Sequence, residues 1–106
     1  MTPQVVPIEF ERTMGCTAAE LISWLPGALP GARIESAVAR DGASGTAEAV
    51  FGDGSLKLDW QTLPERRIAL LRIPCLRVRF EYTGLGEPRR QQVQRHFDLA
   101  TQRGGG

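Results

Sequence analysis

Apolar residues recur at every second position in several stretches of the chain and at helical spacing in two others. In "VVPIEFERTM", Val6, Ile8 and Phe10 fall on one side, with Glu9, Glu11 and Thr13 on the other. A period of two is that of a strand with one buried face. Pro7 has no backbone donor, which suits a strand start or a sheet edge. In "SLKLDWQ", Leu56, Leu58 and Trp60 oppose Lys57, Asp59 and Gln61. Further on, Leu76, Val78, Phe80 and Tyr82 oppose Arg77, Arg79 and Glu81. "ARIESAVAR" and "TAEAVF" complete the strands, separated by the glycine turns "DGASG" and "GDG".

A turn is expected at "TLPE", followed by the most hydrophobic stretch, "RRIALLRIPCLRVRFEYTG". Pro74 cannot donate to a ladder, so a kink or bulge is expected at Ile73-Pro74. The pattern leaves open whether residues 66–83 form one bent strand or two.

The two helical stretches have clear boundaries. In "CTAAELISWLPG", Thr17 and Glu20 form a capping box, in which the hydroxyl takes an orphan amide and the carboxylate reaches back. Leu21, Ile22, Trp24 and Leu25 supply the apolar side, and Pro26-Gly27 is expected to stop the helix. The second helix begins near Pro88, a residue suited to a first helical position. On it Val93, Phe97 and Ala100 share an arc, with Leu99 on its shoulder and His96 close by.

The element order is therefore β-α-β-β-β-β-α. It predicts a two-layer α+β domain over residues 1–103, an antiparallel sheet of four to five strands with both helices on one face. Residues 104–106 are expected to be a flexible glycine tail. This order resembles the TATA-binding-protein-like layout and, more loosely, the helix-grip proteins. The latter resemblance implies a ligand held between the sheet and the C-terminal helix.

Composition narrows the function classes. At 106 residues the chain has room for one core, and a formal net charge of +1 makes it neither a nucleic-acid magnet nor an acidic tail. Twelve of the 13 basic residues are Arg, with Lys57 alone, a bias that points to a GC-rich, bacterial-like coding sequence. Cys16 and Cys75 stand far apart without ligand spacing, so a reducing, cytoplasmic setting is expected and a zinc site is not. The N-terminal stretch has neither a basic nor a long apolar region, so a signal peptide is not expected, and no apolar run in the sequence reaches the length of a membrane span.

Little of the sequence carries chemistry. His96 has no local orienting carboxylate, since Asp98 lies on the other side of the helix, so packing is its expected role. The ending "RGGG" resembles ubiquitin-like modifiers and sulfur carriers, in which a free Gly-Gly carboxylate is activated. There the tail leaves a strand, whereas Gly104 here follows a helix, so a helix cap is the expected reading. Arg72, Arg77 and Arg79, with Arg66 and Arg67, form a local basic surface. Phe80 and Tyr82 point away from it, so the stacking that single-stranded nucleic acid needs is missing.

No nucleophile, base and oxyanion donor come together, and no metal or cofactor is expected. The leading expectation is a non-catalytic protein-interaction or self-assembly module, with a homodimer as one form. The alternative is a small apolar ligand held by His96, Phe97, Trp60, Phe80 and Tyr82 between sheet and C-terminal helix. A Gly-Gly-tailed carrier is the second alternative.

Overall fold

The structure, a computed structural model, describes residues 5–102. Its elements are β1 (Glu9–Met14), α1 (Ala18–Ala28), β2 (Arg33–Val38), β3 (Ser44–Val50), β4 (Ser55–Ile68), β5 (Leu71–Thr83) and α2 (Glu87–Thr101). The five strands make one antiparallel sheet in the order β1-β5-β4-β3-β2. The α+β architecture and element order are those expected from the sequence.

The alternation in β4 and β5 sorts the sheet into two faces. Leu56, Leu58, Trp60, Val78, Phe80 and Tyr82 join Leu21 and Leu25 of α1, with Val93 and Phe97 of α2, in one core. Phe80 is at its centre, stacked on Phe10 at 4.7 Å and met edge-on by Phe97 at 5.3 Å. The opposite face stays open and polar, with Lys57 facing Glu48 and Glu81, and Asp59 facing Thr46 and Arg79.

The capping box forms as its residues require. The Glu20 amide donates to the Thr17 hydroxyl, and the Thr17 amide donates to the Glu20 carboxylate. The helix does not stop at Pro26-Gly27, however, but carries Pro26 inside it and ends at Ala28. Its last turn is held because Ala28 and Leu29 are buried and the Leu29 amide donates to the Leu25 carbonyl. In α2, Pro88 occupies the first turn behind Gly86.

Three further expectations need correction. Strand β1 starts at Glu9, and Ile8, expected on the buried side, is more than half exposed at the sheet's border. The turn expected at "TLPE" does not form. Strand β4 runs through it with a bulge, because Leu63 pairs with Cys75 and Arg66 with Ile73, setting Pro64 and Glu65 against Pro74. A bulge leaves ladder positions unpaired, so it accommodates the missing donors of both prolines. The irregularity expected at Pro74 is thus real but belongs to β4, and β5 is a single strand.

The third correction follows from the second. The hydrophobic run "RIALLRI" is the end of a hairpin, with Ile68 paired to Leu71 across a turn at Ala69-Leu70. Ala69 takes φ 55°, the left-handed region, where a side chain is disfavoured by roughly 1–2 kcal/mol.

Candidate functional site

The five residues expected around a ligand are divided between two places. Trp60, Phe80, Tyr82 and Phe97 are buried, and Phe97 meets Phe80 edge-on within the core. Trp60 lies over Gly45, its strand partner, and its indole N–H is buried without a hydrogen-bond partner among the described residues.

His96 is elsewhere. It is exposed on the flank of α2 that meets α1, and its Nδ1 is 3.3 Å from the Ala28 carbonyl, which accepts from it. The ring is therefore against the end of α1 rather than the sheet, which corrects its expected place. With Phe51, Arg89 and Val93 it borders a recess of about 120 Å3, where Arg89 pairs with Asp53 at 3.1 Å. We expect His96→Gln to cost less than about 1 kcal/mol in chemical denaturation, the scale of one partly exposed hydrogen bond.

A polar seam that the sequence did not reveal runs along the other flank of α2. The Tyr82 hydroxyl donates to Gln94 Oε1 at 2.7 Å, and Gln94 Nε2 donates to Asp98 Oδ1 at 2.9 Å. Arg12 closes the seam on Asp98 at 2.6 Å, with its guanidinium over the Phe10 and Phe80 rings. Burial, together with the Asp98 charge, pushes the Tyr82 hydroxyl well above its ordinary value. The only sequence signal was the four-residue spacing of Gln94 and Asp98, which stacks them on one helix face. The seam forms one side of a groove of about 550 Å3, whose apolar wall is Val5, Val6, Pro7, Phe10 and Leu99.

The basic surface is also divided. Arg77 and Arg79 share the open face as expected, and Arg79 pairs with Glu9 across the β1–β5 ladder. Arg72 is on the hairpin. There β4 beyond Thr62 and β5 before Leu76 have only each other as strand partners, so residues 63–75 project from the sheet as a two-stranded arm. Its tip is apolar: Leu70 is 99% exposed, Leu71 64% and Ile68 52%. Behind the tip, Arg67 and Arg72 are direct cross-strand partners, and Arg72 reaches Glu65 at 3.9 Å. No glycine or asparagine marks the Ala69-Leu70 turn, so hydropathy alone made this segment look like core.

On the open face at the arm's base is a shallow recess of about 470 Å3 lined by Ala37, Val38, Ser44, Gly45, Thr46 and Asp59, among others. Beside it Glu35 and Glu48 are direct cross-strand partners. Like charges so placed are mutually destabilising.

Both cysteines are free and buried. Burial pushes the Cys16 thiol up from 9.0 to about 11, with Glu20 adding to it. The folded chain then keeps its proton where the unfolded chain loses it, so stability falls as pH climbs from 9.0 towards about 11. We expect a declining denaturation midpoint across that window, and a Cys16→Ala variant with a shallower decline. Among the described residues, no group of three or more His, Cys, Asp or Glu is placed to hold a metal ion. No helix among them is long and apolar enough to cross a membrane. Gly104, Gly105 and Gly106, the carrier-like ending, lie outside the described residues. The cap of α2 falls earlier, at Gln102.

No family model matches the chain, and no curated protein matches it. Among solved structures it is similar to DR_A0006 of Deinococcus radiodurans, at 13% identity over 96% of this chain and 99% of that one, with a TM-score of 0.37. A likeness that distant carries no argument about function.

Proposed function

We propose that the chain is a protein-interaction or self-assembly module that makes contact through the β4–β5 arm. The observation that supports this reading is Leu70, 99% exposed at the end of a ribbon. Leaving a leucine, with Leu71 and Ile68 beside it, in water forgoes about 1.5–3 kcal/mol for each side chain that a partner would cover. Isolated exposed apolar residues need no explanation, but a cluster on a projecting element marks a contact site. Because Leu70 is 99% exposed, it can be altered without disturbing the core.

The test is a photo-crosslinking amino acid in place of Leu70, introduced in cells. A protein adduct that disappears when Arg67 and Arg72 are changed to Glu supports the reading. The absence of any protein adduct at that position overturns it.

A second reading, binding of a small apolar ligand, is favoured by the groove between β1 and α2, where Val6, Phe10 and Leu99 offer an apolar wall. Native mass spectrometry of freshly purified protein separates the two, since a retained small molecule would favour the groove.

A further inference from the structure

We propose that the border strand β2 pairs edge to edge with β2 of a second copy of this chain, joining the two sheets into one. The pairing goes beyond the arm reading and does not depend on it, since the arm belongs to β4 and β5.

Unpaired backbone groups are the first support. The amides and carbonyls of a strand turn to its two sides at alternate residues. Just past β2 the Ala39 amide donates to the Ser44 carbonyl, and the β2–β3 pairing runs unshifted from Arg33↔Val50 to Val38↔Gly45. Arg33, Glu35 and Ala37 therefore turn their backbone groups to β3, and Ile34, Ser36 and Val38 turn theirs outward. The phase of β3 agrees. The Phe51 amide donates to the Gly54 carbonyl and the Thr62 amide to the Ala43 carbonyl, so the odd-numbered residues of β3 serve β4 and the even-numbered ones serve β2. Beyond β2 there is no further strand among the described residues. Such an edge is a template for another chain.

Self-complementarity is the second support. A two-fold axis normal to the sheet keeps each side chain on its own face, so it must pass beside one residue and pair that residue with its copy. With the axis at Ser36, Ser36 meets Ser36 and Ile34 meets Val38. Every outward group of both copies then has a partner. No like charges are directly opposed, since Glu35 faces Ala37 and Arg33 faces Ala39 of the other copy. An axis at Glu35 would set that carboxylate against itself, and one at Ala37 would leave Ile34 against Arg40, outside the strand. The Ser36 register also brings Val38, 49% exposed, beside Ile34 at the border of the core.

The opposite border is guarded, which is the third support. The Tyr82 amide donates to the Ile8 carbonyl, so Glu9, Glu11 and Thr13 of β1 turn outward. An axis at Phe10 would oppose Glu9 to Glu11, one at Glu11 would oppose it to itself, and one at Arg12 would oppose two guanidinium groups. Each places like charges face to face. Strand β2 has no proline, lysine or bulge to do the same. With one edge open and the other guarded, the pairing closes as a two-fold dimer.

Sedimentation velocity over a range of concentrations, with native mass spectrometry, tests the proposal. We expect a wild-type dimer. Ser36→Pro should be a monomer with unchanged circular dichroism, because the lost amide points away from β3 and a border strand tolerates proline. Ser36→Glu and Ser36→Lys should each be monomers, since each sets its new charge against itself across the axis. Mixing those two variants should restore a heterodimer. A monomeric wild type overturns the proposal, as does a dimer that survives the three substitutions or a mixture that stays monomeric. A dimer lost in Leu70→Asp but kept in Ser36→Pro would assign self-association to the arm and overturn the β2 pairing.

Discussion

Phe80→Ala should remove about 3–5 kcal/mol of stability, the range for deleting a large aromatic side chain from a closed core. Phe80 is fully buried, stacked on Phe10 from the edge strand and met edge-on by Phe97 from α2. Its removal therefore opens a cavity at the junction of three elements. For a domain whose total stability is of order 5–15 kcal/mol, that is a large share. Urea denaturation followed by tryptophan fluorescence measures it directly. A loss below about 1 kcal/mol would mean that the helices do not close on the sheet as described. Phe10→Ala, at the half-exposed border of the same stack, should cost clearly less.

The second large effect is expected at a turn rather than in the core. A methyl group added at Gly54 would sit 2.9 Å from the Leu85 amide nitrogen and closer still to the Thr83 carbonyl oxygen. Both are backbone atoms and cannot rotate away. The same glycine accepts from the Phe51 amide at 2.8 Å to close the β3–β4 hairpin. Gly54→Ala should therefore destabilise by about 1–3 kcal/mol, the cost of overpacking a closed site. Gly27 is the matched control. Nothing lies within 4 Å of its added methyl, and it is inside a helix. Gly27→Ala should raise stability by about 0.5–1 kcal/mol, so the two substitutions should shift the thermal midpoint in opposite directions.

How far the sequence revealed this molecule depended on whether a local rule and a distant contact pointed the same way. The alternation of Leu56, Leu58 and Trp60, and of Val78, Phe80 and Tyr82, located the core because those strands are central and flanked on both sides. The capping box at Thr17 and Glu20 is a purely local device and formed as written. The arm was hidden because hydropathy cannot tell a buried apolar run from one left in water. Ala69 turns the chain without a turn residue, and the two prolines cancel each other in one bulge. The facing pairs Glu35–Glu48 and Arg67–Arg72 exist only once the strand register is known. Gln94 and Thr101, both polar and both buried, were missed on α2 because their partners are Tyr82 across the fold and the Phe97 carbonyl one turn back.

The lone lysine gives the fold a built-in reporter. Lys57 is in β4, the middle strand of five, held by β3 on one side and β5 on the other. A protease that cuts only after lysine has a single target in this chain, and it must draw several residues around that target into an extended, unpaired form. Fraying at the sheet's borders does not free them, since both neighbouring ladders have to part. One cut is therefore one opening of the central sheet. Where opening and closing are fast relative to cleavage, the digestion rate counts the population of globally opened molecules, at native conditions and without denaturant.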